Sequence, residues 1–245
     1  MAGKHASAKD DSSFSETKSY EEAVKLMQTG YTEIAKKLRS DVKQKDKIQS
    51  KYQTMTEHPI PHNAVIGFIP NVPNAIRNLP QSMISVDRKP QKRKTLSIKY
   101  IETGNACEDT KFFIDCGAAL LSAVSLVEKS GIQTKIDLGF YAGREDGELA
   151  VGTVCIKNYG ERYSFQKVSF PLAHPSMFRR IGFKWLETTP VITKDGFSCG
   201  YGSSPKHYEL ADNIKLQPNT YLISTHWIRD HHYSVEEILR LFEVI

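Results

Sequence analysis

The sequence lacks every short motif that would announce a chemistry. It has no Gly-x-x-x-x-Gly-Lys-Ser/Thr phosphate loop, no Gly-x-Gly-x-x-Gly after a strand-like run, and no Gly-x-Ser-x-Gly nucleophile elbow. Cysteine is scarce. Cys107, Cys116, Cys155 and Cys199 are the only four, and no two are separated by two residues. That excludes a Cys-x-x-Cys zinc or thiol-redox site and a disulfide-stapled scaffold, and points to buried thiols in a reducing compartment. No run approaches the ~18 apolar residues of a membrane span. The longest, residues 118–127, is interrupted by Ser122 and Ser125 and reads as a buried helix. The N-terminus has no apolar stretch of the kind a secretory signal needs, so none is expected.

What is present suits a folded domain. Apolar residues make up 40% and charged residues 25% of the 245 positions, enough for a core. Lys and Arg number 33 against 28 Asp and Glu, a net charge of +5. Such a mild excess permits attraction to phosphate without requiring it.

Along the chain, residues 1–18 hold little to bury and read as a disordered tail. Residues 19–56 read as a helical extension. Ser19 and Glu22 form a capping box for a helix from Tyr20 to about Gln28, stopped at Gly30. Thr32 can cap a second helix, on which Ile34, Leu38 and Val42 make one thin apolar stripe opposite a basic face. Residues 57–245 read as one α/β domain preceded by a proline-rich arm at 57–90. Six prolines there rule out a continuous helix or a central strand, but the apolar residues among them argue for an ordered arm lying on the domain.

Strands are expected at 95–101, 135–141, 149–158 and 220–224, with a charged turn at 142–148 and a short strand ending near Phe170. Helices are expected at 112–129, closed by Gly131, at 175–187, and after the Ser234/Glu237 capping box. This order predicts a mixed sheet, largely parallel across its helical crossovers, with flanking helices.

Few constellations suggest chemistry. His226, Asp230, His231 and His232 are the densest titratable cluster, yet the segment follows a strand and reads as an exposed loop. Glu102, Asp109 and Asp115 surround the first strand–helix turn, where open α/β sheets place ligands. Carboxylates at a helix start also serve simply to complement its dipole. Two basic clusters could track a phosphate backbone: Lys36, Lys37 and Arg39 with their helix, and Arg88, Lys92, Arg93 and Lys94 before the first strand of the core. Arg179 and Arg180 stand early in a helix, where the dipole disfavours cations, so an acidic partner or an internal carboxylate should compensate them.

Three stretches carry a resemblance. They are Gly67-Phe68-Ile69-Pro70-Asn71-Val72-Pro73 running on to Leu79-Pro80-Gln81-Ser82-Met83-Ile84; Gly117-Ala118-Ala119-Leu120-Leu121-Ser122-Ala123-Val124; and Phe170-Pro171-Leu172-Ala173-His174-Pro175-Ser176-Met177-Phe178-Arg179-Arg180. Together, over residues 60–190, they resemble an uncharacterised protein family of tailed bacteriophages and prophages with a von Willebrand factor A-like core. The resemblance implies a Rossmann-like sheet and a phage gene product working in the host cytoplasm. The metal site of that fold uses Asp-x-Ser-x-Ser, and this chain reads Glu102-Thr103-Gly104-Asn105-Ala106 instead, so no metal is expected. No cofactor is expected either. The functional expectation is a non-enzymatic module that binds a host or phage protein through Pro70, Pro73, Met83, Phe178, Arg179 and Arg180. The alternative is a nucleic-acid-associated protein using the two basic clusters.

Overall fold

A computed structural model describes residues 15–48, 61–86, 95–104, 108–143, 149–162, 164–189 and 214–244. The basic run Arg88, Lys92, Arg93 and Lys94, the 142–148 turn beyond Gly143 and residues 1–14 of the expected tail lie outside them. Among the described residues the chain forms two sheets and eight α-helices.

Helix α1 (Tyr20–Thr29) follows the expected capping, whereas α2 (Thr32–Ile48) includes Thr32 as its first residue instead of being capped by it. The Ser19 hydroxyl accepts from the Glu22 amide at 3.2 Å. Gly30 ends α1 with φ 76°, and any Cβ there would meet the Gln166 carbonyl, so both backbone sign and close approach call for glycine. The α2 stripe of Ile34, Leu38 and Val42 is buried, while Lys36, Lys37 and Arg39 face water.

The proline-rich arm forms an antiparallel three-stranded sheet. β1 (Pro61–Ala64) and β2 (Ile69–Pro70) both pair with β3 (Met83–Val86), in the order β1-β3-β2, and a short helix α3 (Val72–Ile76) caps the turn. Asn71 starts α3 by accepting from the Asn74 amide. Gly67 passes so close to the Ile84 carbonyl that a Cβ would collide with it. The arm was expected to lie on the domain. Instead no described side chain between residues 61 and 85 is buried.

The second sheet is the centre of the molecule, in the order β6-β5-β4-β7. β4 (Thr95–Ile101) is parallel to both β5 (Gln133–Gly143) and β7 (Thr220–Ser224), and β6 (Leu149–Lys157) adds to β5 antiparallel. The mixed, mostly parallel α/β sheet is therefore as expected. The crossover helix α4 (Thr110–Lys129) is apolar on nearly every side because it is the core: 72% of its most apolar window is buried inside the fold. Its length and composition would suit a membrane span, but its burial within the fold accounts for both. Leu96, Ile98 and Tyr100 of β4 and Ile136, Leu138 and Phe140 of β5 pack against it in one cluster.

After β6 the structure departs from expectation. The predicted short strand ending at Phe170 is instead helix α5 (Phe165–Ala173), which packs on α1, α2 and α4. Pro171 lies inside it, but burial of Val168, Phe170 and Leu172 against three helices outweighs one lost backbone hydrogen bond. The helix predicted from Pro175 begins there, but Met177–Gly182 winds as a π-helix before α6 (Phe183–Thr188). After β7, α7 (Thr225–Asp230) starts at once, with Ser224 accepting from the Trp227 amide. The expectation of an exposed loop around His226 is thus corrected: a serine cap directly after a strand starts a helix there. Helix α8 (Val235–Leu241) follows its Ser234 cap and packs on α4.

Candidate functional site

Two places stand out. The first lies beyond the carboxyl ends of β4 and β7. The crossover α4 carries the chain from β4 towards β5, away from β7, so the ends of β4 and β7 adjoin without a helix bridging them. Residues 102–104 leave β4 there and Thr225-His226 leave β7. The Thr103 amide donates to Thr225 Oγ1 at 3.0 Å, and Thr225 Oγ1 donates back to the Thr103 carbonyl. Thr103 Oγ1 lies 2.9 Å from His226 Nδ1 and 3.0 Å from Thr225 Oγ1. These bonds tie the two strand ends together, while His226 Nε2 is buried without a hydrogen-bond partner among the described residues. Burial, and then the Arg229 cation, lower the His226 pKa, so the imidazole is neutral at pH 7.

A hydroxyl beside a neutral imidazole is the pair a general base requires. Here, however, Thr103 and Thr225 are fully buried and their hydroxyls are already engaged with each other. The arrangement works as a cross-link between strands.

Beside it, Glu102 is fully buried, and neither carboxylate oxygen has a hydrogen-bond partner among the described residues. Burial drives its pKa well above the carboxylate range, against the pull of the Arg179 cation. Arg179 donates to the Glu108 carbonyl at 2.9 Å and lies over the Phe113 ring at 5.5 Å. The Glu108 carboxylate in turn pairs with Arg229 at 3.0 Å. Asp109 caps α4 by accepting from the Phe112 amide at 2.9 Å, the plain helix-start role. Asp230 pairs with Arg229, and His231 stacks on Trp227 at 3.9 Å.

Arg180, next along the π-helix, turns to the N-terminal segment. It donates to Thr17 Oγ1 at 3.1 Å and to the Thr17 carbonyl at 2.6 Å. Ser176 holds the same segment through Thr17 Oγ1 at 2.8 Å and through the Ser15 carbonyl. Two expectations are corrected by this. Residues 15–18 are not part of a loose tail, because Ser15 and Thr17 are buried in polar contacts 159 to 163 residues away in sequence. Phe178, Arg179 and Arg180 form no outer surface. All three are buried; Arg179 reaches the Glu108 carbonyl and the Phe113 ring and acts on the internal Glu102 carboxylate, and Arg180 reaches both polar groups of Thr17.

The second place is the arm. Pro70 and Pro73 are exposed and Met83 is half-buried, so the structure separates them from Phe178 and the two arginines. Around them Val65, Ile66, Phe68, Ile69, Val72, Ile76 and Leu79 are all exposed, from 45% at Leu79 to 84% at Ile66. Val72 and Ile76 lie four residues apart on α3, and Leu79 follows beyond its end. Large apolar groups exposed in such a run are uncommon on a soluble domain. The sequence contained the signal, since these residues sit among prolines that keep them from a strand or helix face of the core. The pairing of Thr103 with Thr225, or of Thr17 with Arg180, had no such signal.

The model of one protein family, described as Domain of unknown function (DUF7192), matches residues 2–245. The chain belongs to that family. The match spans both the arm and the sheet, so DUF7192 comprises the two together. No curated protein and no solved structure matches the chain.

Proposed function

We propose that the chain is a non-enzymatic protein-interaction module whose docking element is the proline-rich arm. The observation that carries this reading is the run of seven exposed apolar side chains from Val65 to Leu79 on a unit in which no described side chain is buried. Prolines at 70, 73 and 80 favour such use, because a chain with restricted backbone freedom loses less entropy when a partner orders it. The engagement of the Thr103 and Thr225 hydroxyls with each other favours a scaffold over a catalyst. The resemblance to tailed-phage proteins supports a host-cell setting, with a host or phage protein as partner. Ile66→Asp together with Ile76→Asp should abolish capture of partner protein while leaving the thermal midpoint within about 2 °C. Capture that survives both changes would remove the arm from the function.

One observation favours a second reading. Lys36, Lys37 and Arg39 are exposed along the outer face of α2, a row that could follow a phosphate backbone. If nucleic acid is the ligand, affinity should fall steeply and linearly with the logarithm of salt concentration, and Lys37→Glu should reduce that slope.

A further inference from the structure

The corner at the carboxyl end of β4 treats polar groups unlike the rest of the body. Elsewhere the buried Lys157 is met by Glu128 and by the Thr134 carbonyl. In the corner both Glu102 oxygens, the Tyr100 and Thr110 hydroxyls and His226 Nε2 are buried with no hydrogen-bond partner among the described residues. Such groups cost stability, and proteins retain that cost at functional positions. One wall is the π-helix Met177–Gly182, a rare form that recurs at functional sites. It brings in Arg179, which is buried, lies over Phe113 and donates to the Glu108 carbonyl at 2.9 Å. The same cation pulls on Glu102 without a hydrogen bond to it. Glu108 in turn holds α7, because its carboxylate pairs with Arg229 at 3.0 Å.

We propose that Glu102 is a proton-operated latch on α7, a device independent of the arm. With its proton, the neutral Glu102 carboxyl leaves Arg179 on the Glu108 carbonyl, and Glu108 holds α7 through Arg229. When that proton passes to solvent, the ionised carboxylate draws the Arg179 guanidinium to itself, since a buried unpaired charge costs far more than one bond to a carbonyl. The Glu108 carbonyl then loses its donor, the pair with Arg229 loses its footing, and α7 loosens. The sign follows from burial, which holds the Glu102 pKa well above 4.5: the latch is closed at low pH and opens as pH rises through the raised folded value. Tyr100 on β4 and Cys116 on α4 face the same corner. So do Glu108, Asp109 and Asp115 around the start of α4, and His226, Arg229 and Asp230 on α7. Burial raises the Tyr100 pKa and lowers that of His226, so neither changes charge between about pH 7 and pH 9.

The test is hydrogen–deuterium exchange of the full chain at about pH 5 and about pH 8.5, with rates corrected for the intrinsic pH dependence of exchange. In the wild type, protection of the α7 amides should fall about tenfold from the lower to the higher pH, the loss of one charge-assisted hydrogen bond, and by less in α4 and β5. Glu102→Gln keeps the shape of the protonated carboxyl and has no proton to lose, so its α7 should stay protected at both values. Arg179→Met removes the moving part, so its α7 should be loose at both. Wild-type protection of α7 that ignores pH overturns the latch without any variant. A fall of the same size in Glu102→Gln overturns it too, because another group then titrates. A fall no larger in α7 than in α4 and β5 also overturns it, since Glu102 would then act on the whole fold and not through Glu108.

Discussion

The body and the arm of this protein treat the same kinds of residue in opposite ways. In the body, phenylalanines, arginines and a lysine go inside, and the polar ones are met there. Lys157 is buried, yet it reaches Glu128 at 2.6 Å and the Thr134 carbonyl at 2.8 Å, while Thr134 Oγ1 donates to the same carboxylate at 2.6 Å. In the arm, Ile66, Phe68 and Ile76 remain outside. The difference follows from size and topology. A 20-residue helix flanked by a four-stranded sheet and further helices offers surface on all sides, whereas three strands of two to four residues enclose nothing. Apolar residues in the body are thus explained by folding, and those in the arm, on the function proposed above, by association.

The sharpest way to break that contrast is a matched pair of substitutions. Phe113→Ala in the body should cost about 3–5 kcal/mol, and Phe68→Ala in the arm less than about 0.5 kcal/mol, read from urea unfolding of the two variants. Comparable losses would mean that the arm shares the core.

The buried polar groups allow a second test, in pH. His174 is stacked on Phe170 at 5.1 Å, accepts from the Ser176 amide at 3.1 Å, and has its pKa lowered by burial to about 4. Its folded pKa lies below the unfolded value of 6.5, so the unfolded chain binds the extra proton first. Stability is complete above pH 6.5 and should fall by up to about 3 kcal/mol as pH drops towards 4. His174→Phe should flatten denaturation midpoints across that window. A slope that persists in the variant would assign it to other groups.

Glu102 acts in the opposite sense. Its folded pKa is raised, so the stability it confers is complete below the unfolded carboxylate value of 4.5 and declines as pH rises towards the folded pKa. Glu102→Gln should therefore raise the thermal midpoint at pH 8 and leave it unchanged at pH 4. A lower midpoint at pH 8 would mean that the ionised carboxylate is stabilised by Arg179.

The smallest effect is expected from Arg179→Met against Arg180→Met. The first keeps packing on Phe113 and gives up the bond to the Glu108 carbonyl. The second gives up bonds to Thr17 Oγ1 and to the Thr17 carbonyl, which keep Ser176 and Ser15 as partners, and should cost about 1 kcal/mol more. Limited proteolysis should also cut after Lys18 faster in Arg180→Met. Equal losses and equal cleavage would remove Arg180 as the anchor of the N-terminal segment.

Much of the body was legible from the amino-acid order. Caps at Ser19 and Ser234 are local hydrogen bonds between residues three apart, and the alternation through residues 95–101 encodes a strand with one buried face. These features depend on short-range chemistry, so a linear reading finds them. The candidate site was legible only in its location beyond the first core strand. That Thr103 meets Thr225 and His226, that Arg180 binds Thr17, and that Phe165–Ala173 is helical in spite of Pro171 depend on chain segments far apart in sequence. The exposure of Ile66 and Ile76 has the same origin. An isoleucine is equally suited to a core and to an interface, and only the presence or absence of neighbouring elements around it settles which it serves.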